Sequence, residues 1–544
     1  MKTLHSAHLR CSLDRICCRR FLPAMLAAVF ASGCAVGPDY TRPEVPVMQQ
    51  WLEAQDFAIS TEAADMAAWW TCLNDPVLDE LIEKAYRQNL TLRIAGIRIF
   101  ESRARLGILA GGAYPQLQQL RGEYAGSRIS ENDPNTTPQI DRHFSAASVG
   151  FDAAWELDFW GRFRRGVESG VWELEASVAG YDDILVSLMG EVARTYVLVR
   201  TLETRLAIAS ENVKLQERSL QIARVRFEAG DVTELDVAQA RSLLAETQAS
   251  VPRLEAQLRQ SKNALAVLLG LLPGDIESLL RQPGAIPVVP DSVSISVPAE
   301  LLRRRPDIRL VESRMAAQCA QIGVARADLF PRLGLFGSIG LSASNADVTA
   351  AGFPGGSTLG DLWNSDSLEY FGGAGFVWDI FNYGRIRNRI RVQDARFQQL
   401  VVRYRETVLR AAQETEDALS AFLRSREEVA FLGDSADAAR RSVQLSLIQY
   451  REGLVDYQRV IDSQRFQARA EDVLVATQGS VVVNMIALYK ALGGGWEGRV
   501  SGDFVPEDTR QQMRERTNWG GLLESDGLEI APEEQRMYWR LPDW

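Results

Sequence analysis

The stretch Trp155-Glu-Leu-Asp-Phe-Trp-Gly-Arg162 returns 223 positions later as Trp378-Asp-Ile-Phe-Asn-Tyr-Gly-Arg385. At the same offset, Phe227-Glu-Ala-Gly230 matches Tyr450-Arg-Glu-Gly453. Self-similarity at a fixed spacing is typical of a repeated structural unit. Although 544 residues are enough for about three or four ordinary domains, this repeat predicts two copies of one unit of roughly 220 residues.

Each copy is predicted to open with an amphipathic helix, near Val77–Leu109 in the first copy and near Ile308–Ala327 in the second. Pro115 and Pro331 stop these helices, because a proline disfavours helical geometry at the residue before it. The two prolines align at an offset of 216 rather than 223, and this difference predicts a longer loop between Pro331 and Trp378 in the second copy.

Two stretches of alternating apolar and polar residues follow each helix, which predicts two strands with one apolar face per copy. The predicted strands cover 116–127 and 148–157 in the first copy and 333–341 and 374–380 in the second. The first of these alternates least clearly. Trp155 and Trp378 lie at the ends of amphipathic strands, where tryptophan suits a protein core or, by preference, a membrane interface.

Long stretches without proline follow the strands, between Pro138 and Pro252 and between Pro354 and Pro506. Apolar residues recur there in alternating steps of three and four, which predicts a coiled-coil seam. A helix from about 162 to 228 would be ~100 Å long at 1.5 Å per residue. The first seam occupies positions 199, 202, 206, 209, 213, 216, 220, 223 and 227, of which Gln216 is the polar member.

A glycine then reverses the chain in each copy, at Gly230 and at Gly453, and a second long helix returns to Leu269 or Leu492. Glycine suits such a reversal because it adopts positive φ without strain. A plain soluble coiled coil is the alternative for these helices, but it does not explain the amphipathic strands that precede each hairpin.

Composition excludes several classes of function. The net charge of −11, which becomes −15 without residues 1–33, argues against nucleic acid as a partner. Only three histidines occur, so we expect neither a Ser-His-Asp triad nor a metal site with two histidines. The sequence predicts no enzyme activity, no metal and no cofactor; a carboxylate-based hydrolase is the remaining enzymatic alternative.

Residues 1–33 are typical of a secretory signal, since basic residues precede a short apolar run. The run ends in Ala31-Ser-Gly-Cys34, which resembles a bacterial lipobox and predicts that Cys34 carries covalent lipid. An ordinary signal with a chance cysteine is the alternative. Cys72 and Cys319 are the other cysteines of the mature chain, so at most one disulfide is expected if Cys34 is acylated.

No later apolar run reaches ~18 uncharged residues, so the sequence predicts no transmembrane helix. Four strands per chain are too few for a membrane barrel, since the smallest need about eight and lipid does not tolerate open strand edges. Several chains must therefore share one barrel. The predicted fold class is an α+β membrane protein, in which three chains form a 12-stranded β-barrel that an α-helical barrel continues into the periplasm.

Further motifs lie along the whole chain: Gly33-Cys34, Gly37-Pro-Asp-Tyr40, Asn89-Leu-Thr-Leu92, Leu268-Leu-Gly270, Arg304-Arg-Pro-Asp-Ile-Arg309, Phe330-Pro-Arg-Leu333 and Ala491-Leu-Gly-Gly-Gly-Trp496. Together with the repeated tryptophan segments, they resemble the outer-membrane factor family of TolC- and OprM-like channels, in particular its NodT-type lipoprotein branch. The resemblance implies a homotrimer in outer-membrane lipid that acts as the passive exit duct of a tripartite efflux pump for small toxic compounds. It also implies two partners, a periplasmic membrane-fusion adaptor and an inner-membrane transporter of the RND type.

The predicted organisation has five parts. They are a lipoprotein signal peptide at 1–33, a lipid-anchored linker at 34–70, a first repeat at 71–283, a second repeat at 284–498 and an acidic C-terminal extension at 499–544. The sequence assigns no function to the extension, for which a peripheral collar and a disordered tail are both open.

The hairpin tips around Gly230, Asp231 and Gly453 are predicted to form the closed periplasmic end and the adaptor-docking surface. By resemblance, Asp462 stands where related ducts carry a gate aspartate, and Gln458 stands where they often carry leucine. One lumen-facing aspartate per chain becomes a ring of three, which repels itself unless it is paired with arginine or a cation. The predicted periplasmic gate comprises Arg451, Asp456, Gln458 and Asp462.

Two other functions remain open from the sequence. A duct for secreted protein or oligosaccharide would have the same wall, because the wall of a passive tube does not recognise its substrate. A lipid-anchored structural coiled coil without a pore would share the long helices.

Overall fold

The computed structural model describes residues 35–46, 48–53, 56, 59–60, 66–132, 142–280, 283–295, 304–346, 358–499 and 503–524. The predicted signal peptide and Cys34 lie outside the described residues. The last twenty residues of the predicted C-terminal extension, 525–544, lie outside them as well.

Both copies of the repeat contain a helical start, a strand pair and a long helical hairpin. The first copy has α1 (Pro76–Gln88), α2 (Leu90–Gly111), β1 (Leu117–Arg128), β2 (His143–Leu157), α3 (Arg162–Glu228), α4 (Glu234–Leu268) and the short α5 (Ile276–Leu280). The second copy has α6 (Pro306–Ala327), β3 (Arg332–Ser344), β4 (Leu368–Val377), α7 (Arg385–Arg451) and α8 (Tyr457–Ala491), and α9 (Glu507–Arg516) follows it. Short 3-10 turns lie at Trp69–Leu73, Leu359–Trp363, Ser365–Ser367, Trp496–Gly498 and Gly520–Leu523, and the two-residue strands Ile59–Ser60 and Val293–Ser294 pair in parallel.

The two helical hairpins have the same dimensions. Helices α3 and α7 each have 67 residues, and α4 and α8 each have 35. At 1.5 Å per residue the longer helices measure about 100 Å, as predicted. Glycines with positive φ recur at the offset of 223 around these helices; the pairs are Gly161 and Gly384, Gly230 and Gly453, and Gly270 and Gly493.

The region predicted as one helix over Val77–Leu109 forms two helices, α1 and α2, which part at Asn89. The Asn89 side chain accepts a hydrogen bond from the backbone N–H of Leu92 at 2.8 Å and donates one to the carbonyl oxygen of Leu268 at 2.9 Å. The first bond caps α2, and the second ties the break to the end of α4. The prediction of a single helix is wrong because this capped, extended residue ends one helix and begins the next.

The four strands form one antiparallel sheet in the order β1–β2–β3–β4, so the two strand pairs join through β2 and β3. All four predicted strands are present, but the fourth runs from Leu368 to Val377 rather than over 374–380. One face of the sheet is mostly polar. The other is mostly apolar and carries Leu120, Tyr124, Val149, Phe151, Trp155, Leu335, Ile339, Leu341, Leu368, Tyr370 and Phe376.

The sheet is open on both sides. Within the described part of the chain, β1 pairs only with β2 and β4 pairs only with β3. Every residue of β4 is exposed in the single chain, and the apolar face is exposed as well, with Tyr370 at 81%. An unpaired edge of this kind presents main-chain N–H and C=O groups that invite pairing with another strand.

Helix α3 lies at the centre of the helical part, where it packs against α2, α4, α6 and α8. Most of the predicted seam faces this interior: Val199, Leu202, Leu220 and Ala223 are buried, and the polar member Gln216 is buried with them. The last member, Phe227, is exposed near the tip. Burial of apolar side chains along such a seam, rather than helix propensity alone, stabilises helices of this length.

One helix among the described residues, Tyr457–Ala491, is long and apolar enough to cross a membrane by length and composition. Half of its most apolar window is buried inside the chain, and it packs along α7 and α3. The core helix of a bundle has the same properties, so this helix is weak evidence for a membrane span.

Segments near both ends of the chain lie in equivalent grooves of the helical part. After α8, the Phe504 ring packs edge-on against Tyr181 with 5.0 Å between ring centroids. Tyr404 is the counterpart of Tyr181 in the second copy, and Tyr40 packs against the apolar cluster that contains Tyr404. Residues 503–524 dock against the helices, with Phe504, Val505, Met513 and Leu523 buried.

Candidate functional site

The segment that follows Cys34 lies at the junction between the sheet and helix α3. The backbone N–H of Val36 donates to the carbonyl oxygen of Trp160 at 3.0 Å. Ala35 approaches Gly161 so closely that a Cβ at Gly161 would lie 2.7 Å from the Cα of Ala35. The residue directly after the predicted lipidation site is therefore fixed at the end of strand β2.

The two hairpin tips turn through the same hydrogen-bonded motif. Gly230 has φ +84° and Gly453 has φ +73°. Both reversals therefore use the positive φ for which glycine was predicted. In each tip a six-residue and a four-residue hydrogen-bonded loop close the last helical turn, as in the Schellman family of helix ends. The donors and acceptors are Asp231 N to Arg226 O and Gly230 N to Phe227 O in the first tip, and Leu454 N to Gln449 O and Gly453 N to Tyr450 O in the second.

The two tips pack side by side around a small apolar cluster. Its members come from all four long helices, so the two hairpins of one chain pack against each other at this end. The buried members are Leu220, Ala223, Ala240, Leu243, Leu244, Tyr450, Tyr457, Val460 and Ile461.

Tyr450 links the two hairpins at the tip. Its hydroxyl donates to the Asp236 carboxylate at 3.4 Å, and its carbonyl oxygen accepts a hydrogen bond from the Arg226 guanidinium. Burial and, after it, the nearby Asp236 carboxylate together raise the pKa of Tyr450 to about 12. The hydroxyl is therefore a neutral donor at physiological pH. Sequence reasoning missed this link, although the signal was present: Tyr450 matches Phe227 in the repeat and adds a hydroxyl.

The predicted gate residues are exposed along the second tip. The Gln458 amide donates to the Asp462 carboxylate at 2.9 Å, one helical turn further along. The Asp456 carboxylate accepts a hydrogen bond from the backbone N–H of Arg459 at 3.3 Å and so caps the start of α8. The structure brings Gln458 and Asp462 together and gives Asp456 a local role at the helix start.

The other two predicted tip residues lie apart from this pair. Asp231 is on the first tip, where its carboxylate lies 3.8 Å from the guanidinium of Arg226. Arg451 is exposed in the last turn of α7.

The described residues offer neither a metal-binding cluster nor a reactive thiol. No group of three His, Cys, Asp or Glu side chains there is placed to hold a metal ion. Cys72 and Cys319 are free thiols, so the one disulfide that the sequence allowed is not formed between them. Burial raises the pKa of the Cys72 thiol to about 11 and also raises that of Cys319, which makes both thiols poor nucleophiles.

Comparison with known proteins decides among the remaining classes. The family model described as outer membrane efflux protein matches residues 81–271 and 297–494, one match for each copy of the repeat. The chain belongs to this outer membrane efflux protein family. The resemblance drawn from the motifs is thereby confirmed, and the members that match are channel and transport proteins.

The curated relatives match four fifths or more of this chain. The pyoverdine export outer membrane protein OpmQ of Pseudomonas putida is 32% identical over 458 residues, which cover 81% of this chain and 90% of the relative. Nodulation protein T of Rhizobium leguminosarum is 30% identical over 476 residues, with coverages of 86% and 96%. The cation efflux system protein CusC of Escherichia coli is 30% identical over 495 residues, with coverages of 88% and 99%.

Solved structures show the same fold. The outer-membrane channel OprN is 32% identical, has a TM-score of 0.78 and is matched over 85% of this chain and 100% of its own. The open state of the Neisseria gonorrhoeae MtrE outer membrane channel is 26% identical, with a TM-score of 0.70 and coverages of 86% and 99%. The efflux-family chain thus has the helical and β architecture of outer-membrane channels, and it is an outer-membrane efflux channel.

Proposed function

We propose that three copies of this chain close into one hollow duct, the exit channel of a tripartite efflux pump for small toxic compounds. The observation that carries the proposal is the open sheet, whose edge strands β1 and β4 lack outer partners among the described residues. A sheet in lipid must close on itself, and four strands are too few to do so. A threefold axis would pair β4 of one chain with β1 of the next and complete twelve strands.

The internal repeat indicates how neighbouring helices would meet. Within the chain, α3 of the first copy packs against α6 of the second. In the repeat, α7 corresponds to α3 and α2 corresponds to α6. The equivalent contact would therefore join α7 of one chain to α2 of a neighbouring chain. On α6, a Cβ at Gly323 would lie 2.9 Å from Arg165 Cγ, whereas the aligned Gly107 on α2 has nothing within 4 Å. The open face around Gly107 is where we place the neighbouring chain.

The proposed location is the bacterial outer membrane, with the helical barrel in the periplasm and covalent lipid on Cys34. The lipobox-like run before Cys34 and the position of Ala35 at the end of the sheet support this anchor. The exposed apolar face of the sheet is suited to contact lipid. Trp155 and Trp378, at 36% and 50% exposure, would then mark the membrane interface.

We place the periplasmic gate and the adaptor-docking surface at the hairpin tips, around Gly230, Asp231 and Gly453. Asp462, supported by Gln458, would contribute one carboxylate per chain to an acidic ring, and Arg451 and Asp456 flank it. The hydrogen bond from Tyr450 to Asp236 joins the two hairpins within each chain, and we infer that it helps to keep the tip closed. Opening is a shift between two packed arrangements, in which the adaptor replaces contacts between protomers.

The partners in this proposal are a periplasmic adaptor and an inner-membrane transporter of the RND type. Relatives carry names that refer to pyoverdine export, solvent efflux and cation efflux. All of these cargoes are small, which favours efflux of small compounds over export of protein or oligosaccharide. The family match also disfavours a coiled coil without a pore.

Cross-linking in mild detergent, followed by single-channel recording in planar bilayers, tests this function. The proposal predicts that cross-linking stops at three chains and that the same preparation gives unitary currents. A stable folded monomer in the outer membrane, or a trimer that never conducts, would contradict it.

A further inference from the structure

Two phenylalanines interrupt the polar face of the sheet. Phe336 on β3 and Phe371 on β4 are 42% and 64% exposed. The register puts both on the face opposite to the apolar one, and Phe371 lies in one row with Gln119, Asp152 and Ser338. In the proposed duct this face lines the lumen, because the apolar face must meet lipid. Two large aromatic rings on a water-facing surface are an exception that needs a cause.

The surroundings of the two rings leave them accessible. Their centroids are 5.6 Å apart and their planes are tilted by 31°. The Phe336 ring lies over the backbone of β4, where Cβ atoms at Gly373 and Gly375 would lie 3.5 and 3.2 Å from ring atoms. Across the sheet, Ala154 opposes Phe336 on the other side. Small neighbours on both sides of Phe336 therefore leave a flat apolar surface that the adjacent Phe371 ring extends.

Strand pairing alone does not require this aromatic pair. In the first copy the same face of β1 and β2 carries Gln119 opposite Asp152, joined by a hydrogen bond of 3.4 Å. That hairpin forms with a polar pair, so the aromatic pair is a feature of the second hairpin only. A ring that covers glycines can also stabilise the strand by shielding their backbone from water. Variants that keep apolar volume without a ring distinguish this role from binding.

We propose that Phe336 and Phe371 form a stacking surface in the lumen that briefly holds planar aromatic cargo. The inference rests on the proposed trimeric duct, in which symmetry places three such surfaces at one height. Phe336 lies about 13 Å into the sheet from Arg332 at ~3.3 Å per residue, so cargo leaving the helical barrel meets it early. Aromatic faces stack flat molecules through their π systems with little dependence on other groups. The surface selects planar aromatic compounds over aliphatic ones of equal charge.

Single-channel recording with two organic cations tests this surface. Ethidium is planar and aromatic, and tetrabutylammonium has the same charge without a ring. Ethidium is expected to prolong current interruptions in the wild-type channel, and tetrabutylammonium is not. In Phe336→Ala/Phe371→Ala the ethidium dwell time should fall by about tenfold, the loss of one good stacking contact.

The matched control is Tyr370→Ala/Phe376→Ala, which removes two rings from the opposite face of β4, the strand that carries Phe371. Ethidium dwell time should be unchanged in that variant. Equal dwell times for the two cations in the wild type, or an ethidium dwell time that the Phe336→Ala/Phe371→Ala variant keeps, would overturn the stacking surface. A wild-type protein that gives no unitary current would instead overturn the proposed duct.

A second pair of variants keeps the test decisive if the alanine variant does not assemble. Phe336→Tyr/Phe371→Tyr retains both rings and should retain ethidium dwell. Phe336→Leu/Phe371→Leu retains apolar volume over Gly373 and Gly375 but has no ring, and it should lose the dwell. If the leucine variant behaves like the wild type, the rings serve only the backbone beneath them and the inference is wrong.

Discussion

The indole N–H of Trp378 donates to the carbonyl oxygen of Leu329 at 3.0 Å, where the chain passes from helix α6 to strand β3. In the first copy Trp155 makes the same bond to Ala113 at 3.1 Å. Each indole thus has its polar atom satisfied by the protein while much of its ring is exposed in the single chain. This arrangement suits a membrane interface, where one part of the residue meets the protein and the other meets lipid.

Lipidation at Cys34 is the first prediction. Cys34→Ser should remain unprocessed or take up no labelled palmitate, because the thiol is the only atom that can carry the lipid. The matched control is Cys72→Ser, which changes a thiol inside the helical part and should label normally. We expect the Cys34→Ser pore still to assemble, since the barrel anchors itself in lipid. Normal labelling of Cys34→Ser would refute the anchor.

Leucine should have different effects at the aligned positions Gly107 and Gly323 when each is changed in a separate variant. Gly323→Leu meets Arg165 within its own chain, so it should lower the stability of the folded monomer by about 1–3 kcal/mol through overpacking. Gly107→Leu meets nothing in its own chain and should spare the fold but weaken the trimer. Circular dichroism and size-exclusion chromatography separate the two effects. A Gly107→Leu trimer as robust as the wild type would place the neighbouring chain elsewhere.

The tip carboxylates are predicted to restrain the resting gate. Asp462→Ala, alone or with Asp456→Ser, should raise resting conductance and antibiotic entry without loss of trimer, because an acidic ring that binds cations is removed. Serine at 456 keeps a cap for α8 while it removes the charge. Asp437→Ala, an exposed aspartate on α7 paired with Arg440, is the control. Wild-type conductance and unchanged block by divalent ions in the double variant would count against this gate.

Asp182 is predicted to make the stability of the folded protein depend on pH. The carboxylate is fully buried, with Arg499 at 2.9 Å and Arg309 at 3.5 Å. Burial raises its pKa from 3.8 to about 6, and the two arginines only partly oppose this. The folded protein therefore holds the proton more tightly than the unfolded chain does. The contribution of Asp182 to stability is greatest in acid and is lost as the pH rises from about 4 to about 6.

The size of this effect is about 3 kcal/mol, at about 1.4 kcal/mol per pKa unit. Thermal unfolding from pH 4 to pH 6.5 is the measurement. Wild-type stability should fall relative to Asp182→Asn over that range, because asparagine does not titrate. Parallel curves for the two proteins would show that Asp182 is charged throughout and that its arginines outweigh burial.

Periodicity was sufficient to predict the long helices and the four strands, because both depend on local patterns of apolar residues. It did not predict the break at Asn89, where the local cap on Leu92 is joined by a hydrogen bond to the distant Leu268. The link from Tyr450 to Asp236 was missed for the same reason, since its partners are 214 residues apart in sequence. Contacts of this kind exist only after the hairpins have packed.

Strand register shows a further limit of the sequence. Leu117 and Leu333 hold the same place in the repeat, but Leu117 opposes Ala154 on β2, whereas Leu333 opposes Phe376 on β4, the counterpart of Ala153. Positions 153 and 154 point to opposite faces, because side chains alternate along a strand. A one-residue difference in register between the copies thus reverses a face, and the alignment of the two copies does not reveal it. The place of Phe336 on the polar face depends on the same shift.

Imaging of the purified assembly tests the central claim most directly, since one projection reports both the number of chains and the presence of a lumen. Electron microscopy of the detergent-solubilised protein should show end views with threefold symmetry around an open centre. Side views should show a tube that extends about 100 Å from the barrel, the length of α3 and α7. Particles of a single chain, or rods without a lumen, would contradict the account of a trimeric duct.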